Sequence, residues 1–236
     1  RRNAHFLSGR VRNGEGIRDK EKEKTYLEEG LQQVRDAFQN YDNVILTDES
    51  IWYCLCYLKK SLLCDLKKEA DKQGYQIKVI VYLRRQDKFL LSRWNQRVKQ
   101  KSTSDAVLSC DEYFELTQKK EKDIYQYGKI LDGIAEVIGK ENLIVRRFDV
   151  ESWRDGSIIH DFMHEIGIDV TPEFHELEKN ANLSLDKNTT EIKRILNQEE
   201  NFLHGKILKK DLRKLYSEGS HRNACKRGIA AVSEKV

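Results

Sequence analysis

Two arginines and a serine lie where a predicted strand passes into a predicted helix. Arg84 and Arg85 follow the apolar run Ile77–Leu83, and Ser92 comes eight residues after Arg84. The run is typical of a strand in a parallel sheet that is covered on both faces. Asp87 is an acceptor that suits a helix N-terminus, and apolar residues at helical spacing follow it. Ligands of open α/β sheets bind beyond the carboxyl ends of strands, where N–H groups at a helix start favour anions. These residues therefore predict a phosphate site.

Short apolar runs alternate with long amphipathic stretches along the chain. This alternation predicts an α/β protein with three layers, a parallel sheet flanked by helices. We find no repeat or low-complexity linker and predict a single domain over residues 1–236, with a core at about 43–197 and a polar helical tail at about 198–236. Strands are predicted at Asn43–Thr47, Ile77–Leu83 and Leu143–Phe148, and helices at Asp19–Gln39, Ile51–Gln73, Asp87–Val98, Ile158–Ile166 and, as one or two helices, Asp111–Ile138.

The composition indicates which kinds of partner and which cellular compartment are expected for this protein. The chain has 43 basic and 39 acidic residues, so the net charge of +4 does not predict a nucleic-acid partner. No apolar run approaches the roughly 18 residues of a membrane span, so no stable membrane insertion is expected. The 5 cysteines include no CxxC pair, and Cys54 and Cys56 have no companion at ligand spacing. We therefore predict reduced thiols, a cytoplasmic location and no metal site.

Three segments resemble bacterial members of the sulfotransferase superfamily, whose cofactor is PAPS (3′-phosphoadenosine 5′-phosphosulfate). The segment VYLRRQDKFLLSRWNQ resembles the family's 3′-phosphate motif, in which an Arg ends a strand and a Ser follows eight residues later, as Arg84 and Ser92 do. GKENLIVRRFDVE, followed by IIHDFMHEIGI, resembles the late strand and helix. NANLSLDKNTTEIKRILN resembles the Asn/Ser-rich segment and its helix. The resemblance touches most of the chain from Asn43 to Asn197.

The resemblance implies a fold, a cofactor and a reaction. The fold is a P-loop NTPase-like parallel sheet, and the cofactor pair is PAPS and its desulfated product PAP. The reaction moves a sulfuryl group to a hydroxyl of a glycan or glycolipid acceptor, without a metal. Arg84 and Ser92 would hold the 3′-phosphate. Arg85 would either assist them or pair with Asp87, and Arg146 would contact the cofactor, an acidic acceptor or a nearby carboxylate.

One element of the family is missing. No Lys- and Thr-bearing phosphate loop occurs in the chain. We expect the first strand and this loop to lie upstream of Arg1, so that the chain holds half of the cofactor site. Loss of catalysis is the alternative.

The catalytic base has two candidates. In the family it follows the phosphate loop, which here corresponds to residues 1–8. His5 is the first candidate because an unperturbed imidazole accepts a proton near neutral pH. Glu49 is the second. A packed ring at His5 and a carboxylate at a helix start at Glu49 are the structural alternatives.

Two other functions fit the same residues. A nucleotide or sugar kinase of related architecture would need Mg²⁺, ATP and a phosphate-loop lysine. A non-catalytic binding module would use its basic C-terminal helices to contact a partner.

Overall fold

The computed structural model of the protein describes residues 4–8, 19–48, 50–57, 61–100, 104–172, 174 and 185–198. Within these ranges the chain is α/β, mostly helical with a small parallel sheet, as the alternation predicted. The strands are β1 (Val79–Leu83) and β2 (Leu143–Arg147). The helices are α1 (Lys20–Phe38), α2 (Ser50–Tyr57), α3 (Ser61–Gln73), α4 (Gln86–Gln100), α5 (Cys110–Lys120), α6 (Tyr127–Ile138), α7 (Ile158–Glu165) and α8 (Lys187–Gln198).

The two strands form a parallel pair in register. Val79 pairs with Leu143 at one end, and Leu83 pairs with Arg147 at the other. Parallel neighbours require a crossover, and the chain makes it through α4, α5 and α6. Every residue of β1 is half-buried, and Val145 of β2 is 47% exposed. Within the described ranges, the sheet is therefore less covered than the apolar run Ile77–Leu83 predicted.

The predicted strand at Asn43–Thr47 is wrong. Residues 43–48 alternate between exposed and half-buried side chains, as a strand does, but they join neither β1 nor β2. Leu46 packs against the apolar cluster of α1 instead. Local alternation predicts an extended backbone, whereas a strand also needs a neighbour to complete its hydrogen-bond ladder. The pattern held no information about that neighbour.

Helix boundaries follow the capping residues. Asp19 accepts a hydrogen bond from the Lys22 N–H at 3.1 Å and begins α1. Gly74, with φ of +81°, ends α3 as the sequence predicted. The predicted helix at Ile51–Gln73 is α2 and α3, and residues 58–60 lie outside the described ranges. The stretch predicted as one or two helices is two, α5 and α6.

The chain divides into two compact units. Unit 1 comprises residues 1–83 and 121–147, and unit 2 comprises residues 84–120 and 148–236. The single-domain assignment stays a prediction. Unit 1 has one apolar cluster around α1 and α2 and a second around α3 and α6. The first is built on Ala4, Phe6, Leu7, Leu31, Val34 and Cys54, and the second on Leu63, Ile130, Ile134 and Ile138.

Unit 2 combines a small apolar cluster with a buried polar network. Trp94, Val98 and Tyr113 form the cluster. The Asn95 amide donates to the Leu185 carbonyl at 2.9 Å and to the Thr190 hydroxyl at 2.6 Å. The hydrogen bonds of Asn95 therefore join α4 to the start of α8.

Asn197, near the C-terminal end of α8, caps the C-terminal end of α4. The Asn197 amide donates to the carbonyls of Val98 at 2.9 Å and Ala106 at 3.1 Å. The last carbonyls of a helix have no partner within it, so Asn197 satisfies one that would otherwise be buried unpaired. Both ends of α8 are thus fixed to α4 by amide side chains.

Replacement of Asn95 by alanine is expected to destabilise the protein by about 1–3 kcal/mol, because it leaves the buried groups of Leu185 and Thr190 without this partner. Urea unfolding measures the change. Its neighbour Gln96 is exposed, so Gln96→Ala is the matched control and should stay within about 0.5 kcal/mol of wild type. Equal effects of the two substitutions would show that the network is not stabilising.

Candidate functional site

The junction after β1 begins a helix as predicted, with a shift in the capping residue. The Arg85 carbonyl accepts the Phe89 N–H at 2.9 Å, so Arg85 occupies the position before the first helical residue, Gln86. Asp87 therefore lies in the first turn of α4 rather than at its cap. A carboxylate there still interacts favourably with the helix dipole. It also places negative charge at the helix N-terminus, which disfavours an anion at that point.

Arg85 and Asp87 form a bidentate ion pair. Arg85 Nε lies 2.7 Å from Asp87 Oδ1, and an Arg85 terminal nitrogen lies 2.5 Å from Oδ2. The hydrogen bond from Arg85 is the main cause that lowers the pKa of Asp87 to about 2. The structure thus places Arg85 in the structural arrangement that the sequence offered as an alternative to cofactor binding. Its predicted contact with a cofactor stays a prediction.

Arg84 is placed differently. The centre of its guanidinium lies 4.5 Å from the centroid of the Phe148 ring, a cation–π contact. Phe148 also meets Trp153 edge to face, with centroids 5.1 Å apart. Arg84 is half-buried, whereas Arg85 is exposed. Arg84 thus lies against an aromatic ring, and the adjacent Arg85 pairs with a carboxylate.

Ser92 lies six residues into α4 and is half-buried. At 1.5 Å per residue it is about 9 Å along the axis from the first residue of the helix. A phosphate held by Ser92 would therefore lie beside α4 and not at its N-terminus. The expectation that N–H groups of the helix start assist the site stays a prediction.

The three residues that follow Ser92 fix α4 through buried contacts. Arg93, Trp94 and Asn95 are all buried. The Trp94 indole donates to the Leu108 carbonyl at 2.9 Å, and Asn95 makes the bonds to α8 described above. The helix that carries Ser92 is thus held against rotation by its neighbours in unit 2.

Arg146 and Arg147 are the last two residues of β2 in unit 1. Arg146 is half-buried and pairs with Tyr82, and Arg147 is exposed and pairs with Leu83. Successive side chains of a strand point to opposite faces, so the two arginines do not serve one site together. The cofactor contact predicted for Arg146 stays a prediction.

The two base candidates fall outside what can be described. His5 begins a short 3₁₀ helix, His5–Ser8, but its side chain lies outside the described atoms. Glu49 lies outside the described residues. The 3₁₀ helix itself packs on α1, because Phe6 and Leu7 belong to the cluster with Leu31 and Val34.

Phe148 and the Asn95 network were not found from the sequence. Phe148 was assigned only as the end of a strand, and an aromatic residue there is usually core. Asn95 lies inside a helical pattern among basic residues, and a single sequence gives no signal that pairs it with Leu185 and Thr190. A contact across 90 residues is a tertiary property.

The described residues also lack features of a metal centre, a disulfide or a membrane span. Among the residues that it describes, no three His, Cys, Asp or Glu side chains are grouped as metal ligands. The described cysteines, Cys54, Cys56, Cys64 and Cys110, are not in disulfides. No described helix combines the length and apolar character that crossing a bilayer requires.

Replacement of Arg85 by glutamine should raise the pKa of Asp87 from about 2 toward its ordinary value of about 3.9. The depressed pKa means that the ion pair stabilises the fold above about pH 4 and that this contribution is lost as pH falls toward 2. Carboxyl-carbon NMR titration measures the shift. Arg84→Gln is the matched control and should leave the Asp87 pKa unchanged; equal shifts in both variants would contradict the assignment.

Comparison with known proteins assigns no family. No family model matches the chain. An uncharacterized protein of Archaeoglobus fulgidus is similar, with 32% identity over 124 residues, which is 52% of this chain and 31% of that protein. The match thus covers about a third of the relative's length. No solved structure matches.

Proposed function

We propose that the chain belongs to a PAPS-dependent sulfotransferase of P-loop NTPase-like fold, in which Arg84 and Ser92 hold the 3′-phosphate of the cofactor. The observation that carries the proposal is the different placement of the two arginines after β1. Arg85 is paired with Asp87, whereas Arg84 contacts the face of Phe148. A cation–π contact orients a guanidinium through its charge, and guanidinium N–H groups are the donors that bind phosphates.

A second observation supports the proposal. Two of the three segments that resemble sulfotransferases are joined by the Asn95 bonds to Leu185 and Thr190. The third contributes Phe148, the ring under Arg84. The residues that make these contacts all lie in unit 2, which agrees with their being parts of one nucleotide site.

The hydrogen-bond donors of Arg84 and Ser92 suit the negative charge of a phosphate monoester. Arg84 offers several N–H donors in a planar fork, and Ser92 offers one hydroxyl. Asp87 would repel a dianion, but its charge is balanced by Arg85. In this assignment Arg85 pairs with Asp87, and its own predicted contact with the cofactor stays a prediction.

The reaction needs two things from the protein, a base for the acceptor hydroxyl and positive charge on the leaving phosphate. PAPS, when bound, supplies the activated sulfuryl group. The acceptor hydroxyl loses its proton to a base as its oxygen bonds to sulfur and the bond from sulfur to the 5′-phosphate oxygen breaks. His5 or Glu49 would be that base. Arg146 is the remaining candidate for charge on the cofactor or on an acidic carbohydrate acceptor.

A transfer assay tests the proposal. The longest form of the protein that its gene encodes is incubated with sulfur-35 PAPS and a panel of glycans and glycolipids. Labelled carbohydrate with stoichiometric PAP, in the absence of added metal, is the expected result. ATP consumption that requires Mg²⁺ would instead indicate the kinase. Neither activity, together with unchanged stability in the presence of PAP, would favour the binding module.

A further inference from the structure

The ring of Phe148 contacts two other side chains of unit 2. The guanidinium carbon of Arg84 lies over this ring, 4.5 Å from its centroid. The ring of Trp153 meets it edge to face, with centroids 5.1 Å apart and ring planes at 82°. All three side chains are half-buried and belong to unit 2. Because an edge-to-face pair has a preferred geometry, Trp153 restricts the directions in which the Phe148 ring can turn.

The backbone that joins the two rings is closed by hydrogen bonds. The carbonyl of Asp149 accepts the hydroxyl of Ser152 at 2.7 Å and its N–H at 2.9 Å. The N–H of Trp153 donates to the carbonyl of Val150 at 3.3 Å. The separation of the two rings is therefore set by this turn of the backbone as well as by the contact between the rings.

Trp153 is also tied to α7. The N–H of the next residue, Arg154, donates to a carboxylate oxygen of Asp161 at 3.1 Å, and Asp161 is fully buried in α7. The carbonyl of Trp153 accepts the N–H of Gly156 at 3.1 Å. A buried carboxylate is costly without hydrogen bonds, so the fold favours keeping the bond from Arg154. The backbone on both sides of the indole is thus fixed, which suits Trp153 to hold another side chain in place.

An arginine binds a phosphate more tightly when its side chain is already ordered. The side chain is long, and ordering it during binding lowers the affinity. We infer that Phe148 and Trp153 are positioning residues for Arg84: Phe148 holds the guanidinium by the cation–π contact, and Trp153 orients the ring of Phe148. This role rests on the proposed function, in which Arg84 holds the 3′-phosphate of the cofactor.

Calorimetric titrations of the full chain with PAP and with AMP, which lacks the 3′-phosphate, test this role. Trp153→Leu should lower the ratio of PAP affinity to AMP affinity about fivefold, equivalent to about 1 kcal/mol, and leave AMP affinity nearly unchanged. Trp153→Phe keeps an aromatic ring and should retain the wild-type ratio. Phe114→Leu on α5 is the matched control, because it removes a 46% exposed ring from the same unit, and it should leave the ratio unchanged.

A double variant separates positioning from direct contact with the nucleotide. In the Arg84→Ala background, Trp153→Leu should not lower the ratio further, because the side chain that Trp153 positions is gone. A further loss there, or equal losses of PAP and AMP affinity in Trp153→Leu alone, would overturn the role. Urea unfolding shows whether the variants fold. If Trp153→Leu does not, Phe148→Leu replaces it with the same expected results, and Phe148→Tyr is its conservative variant.

Failure of the proposed function gives a different result, because the wild-type protein would then bind PAP and AMP equally. The positioning of Arg84 is then measured without nucleotide, from the NMR signal of its Nε–H, which the nearby ring of Phe148 shifts. Trp153→Leu should move this signal toward that of an exposed arginine, and Trp153→Phe should not. An unmoved signal in Trp153→Leu would overturn the role of Trp153 whatever the titrations show.

Discussion

Replacement of Arg84 by alanine is expected to weaken the binding of PAP about 100-fold. Hydrogen bonds to charged groups contribute about 1.5–3 kcal/mol each, and an arginine can donate two to one phosphate. The contact with Phe148 holds the guanidinium in place, so little of this energy is spent on ordering the side chain. Isothermal titration calorimetry with PAP measures the loss.

Arg85→Ala is the matched control for this prediction, because it removes the same charge from the adjacent position. Arg85 pairs with Asp87. Loss of Arg85 should therefore change PAP affinity only about threefold or less, the size of a screened charge effect at the surface. Ser92→Ala should fall between the two, with the loss of one hydrogen bond. Equal losses for Arg84→Ala and Arg85→Ala would contradict the assignment of the phosphate to Arg84.

Replacement of Gly30 by alanine is expected to destabilise unit 1 by about 1–3 kcal/mol, the usual effect of overpacking a core. Gly30 is buried in the middle of α1, where a Cβ would lie 2.1 Å from Cγ of Phe6. The atom in contact is the first ring carbon of Phe6, two bonds from its Cα, and cannot move aside as the tip of a flexible side chain would. The ring has to leave the cluster, and the 3₁₀ helix His5–Ser8 has to shift with it. Thermal and urea unfolding measure the loss.

The control for Gly30 is Gly128 in α6. A Cβ at Gly128 would meet nothing within 4 Å, so Gly128→Ala should gain up to about 1 kcal/mol from helix propensity. Phe6→Ala in the Gly30→Ala background should relieve the clash, so the two destabilisations should be clearly less than additive. Additive effects would show that Phe6 and Gly30 do not share one space. Because Phe6 is adjacent to His5, Gly30→Ala also offers a way to displace the candidate base.

Much of the fold could be predicted from local pattern. The helices begin and end where capping residues and glycines indicate, as at Asp19 and Gly74. The strands β1 and β2 were found because they are apolar runs between long helices. Asn43–Thr47 shows the limit: alternation predicted its extended backbone, but the hydrogen-bond partner of a strand is not a local property.

The candidate site was predictable only in part, because some of its features are local in sequence and others depend on distant residues. The junction after Leu83 and the position of Ser92 on the following helix are local, and both were found. The partners that decide what the arginines do are not all local. Asp87 is two residues from Arg85 and was considered, but Phe148 is 64 residues from Arg84 and was not. The buried polar residues of α8 are a further case, because Thr190 and Asn197 bond to residues of α4 that are distant in sequence.

The most direct test of the central claim is the ratio of the affinities of wild-type protein for PAP and for AMP. The two nucleotides share adenine, ribose and the 5′-phosphate, so the ratio isolates recognition of the 3′-phosphate whatever residues hold the 5′ end. Calorimetric titrations without metal should give PAP binding about 100-fold tighter than AMP binding. Equal affinities, or binding of ATP with Mg²⁺ in preference to PAP, would contradict the account.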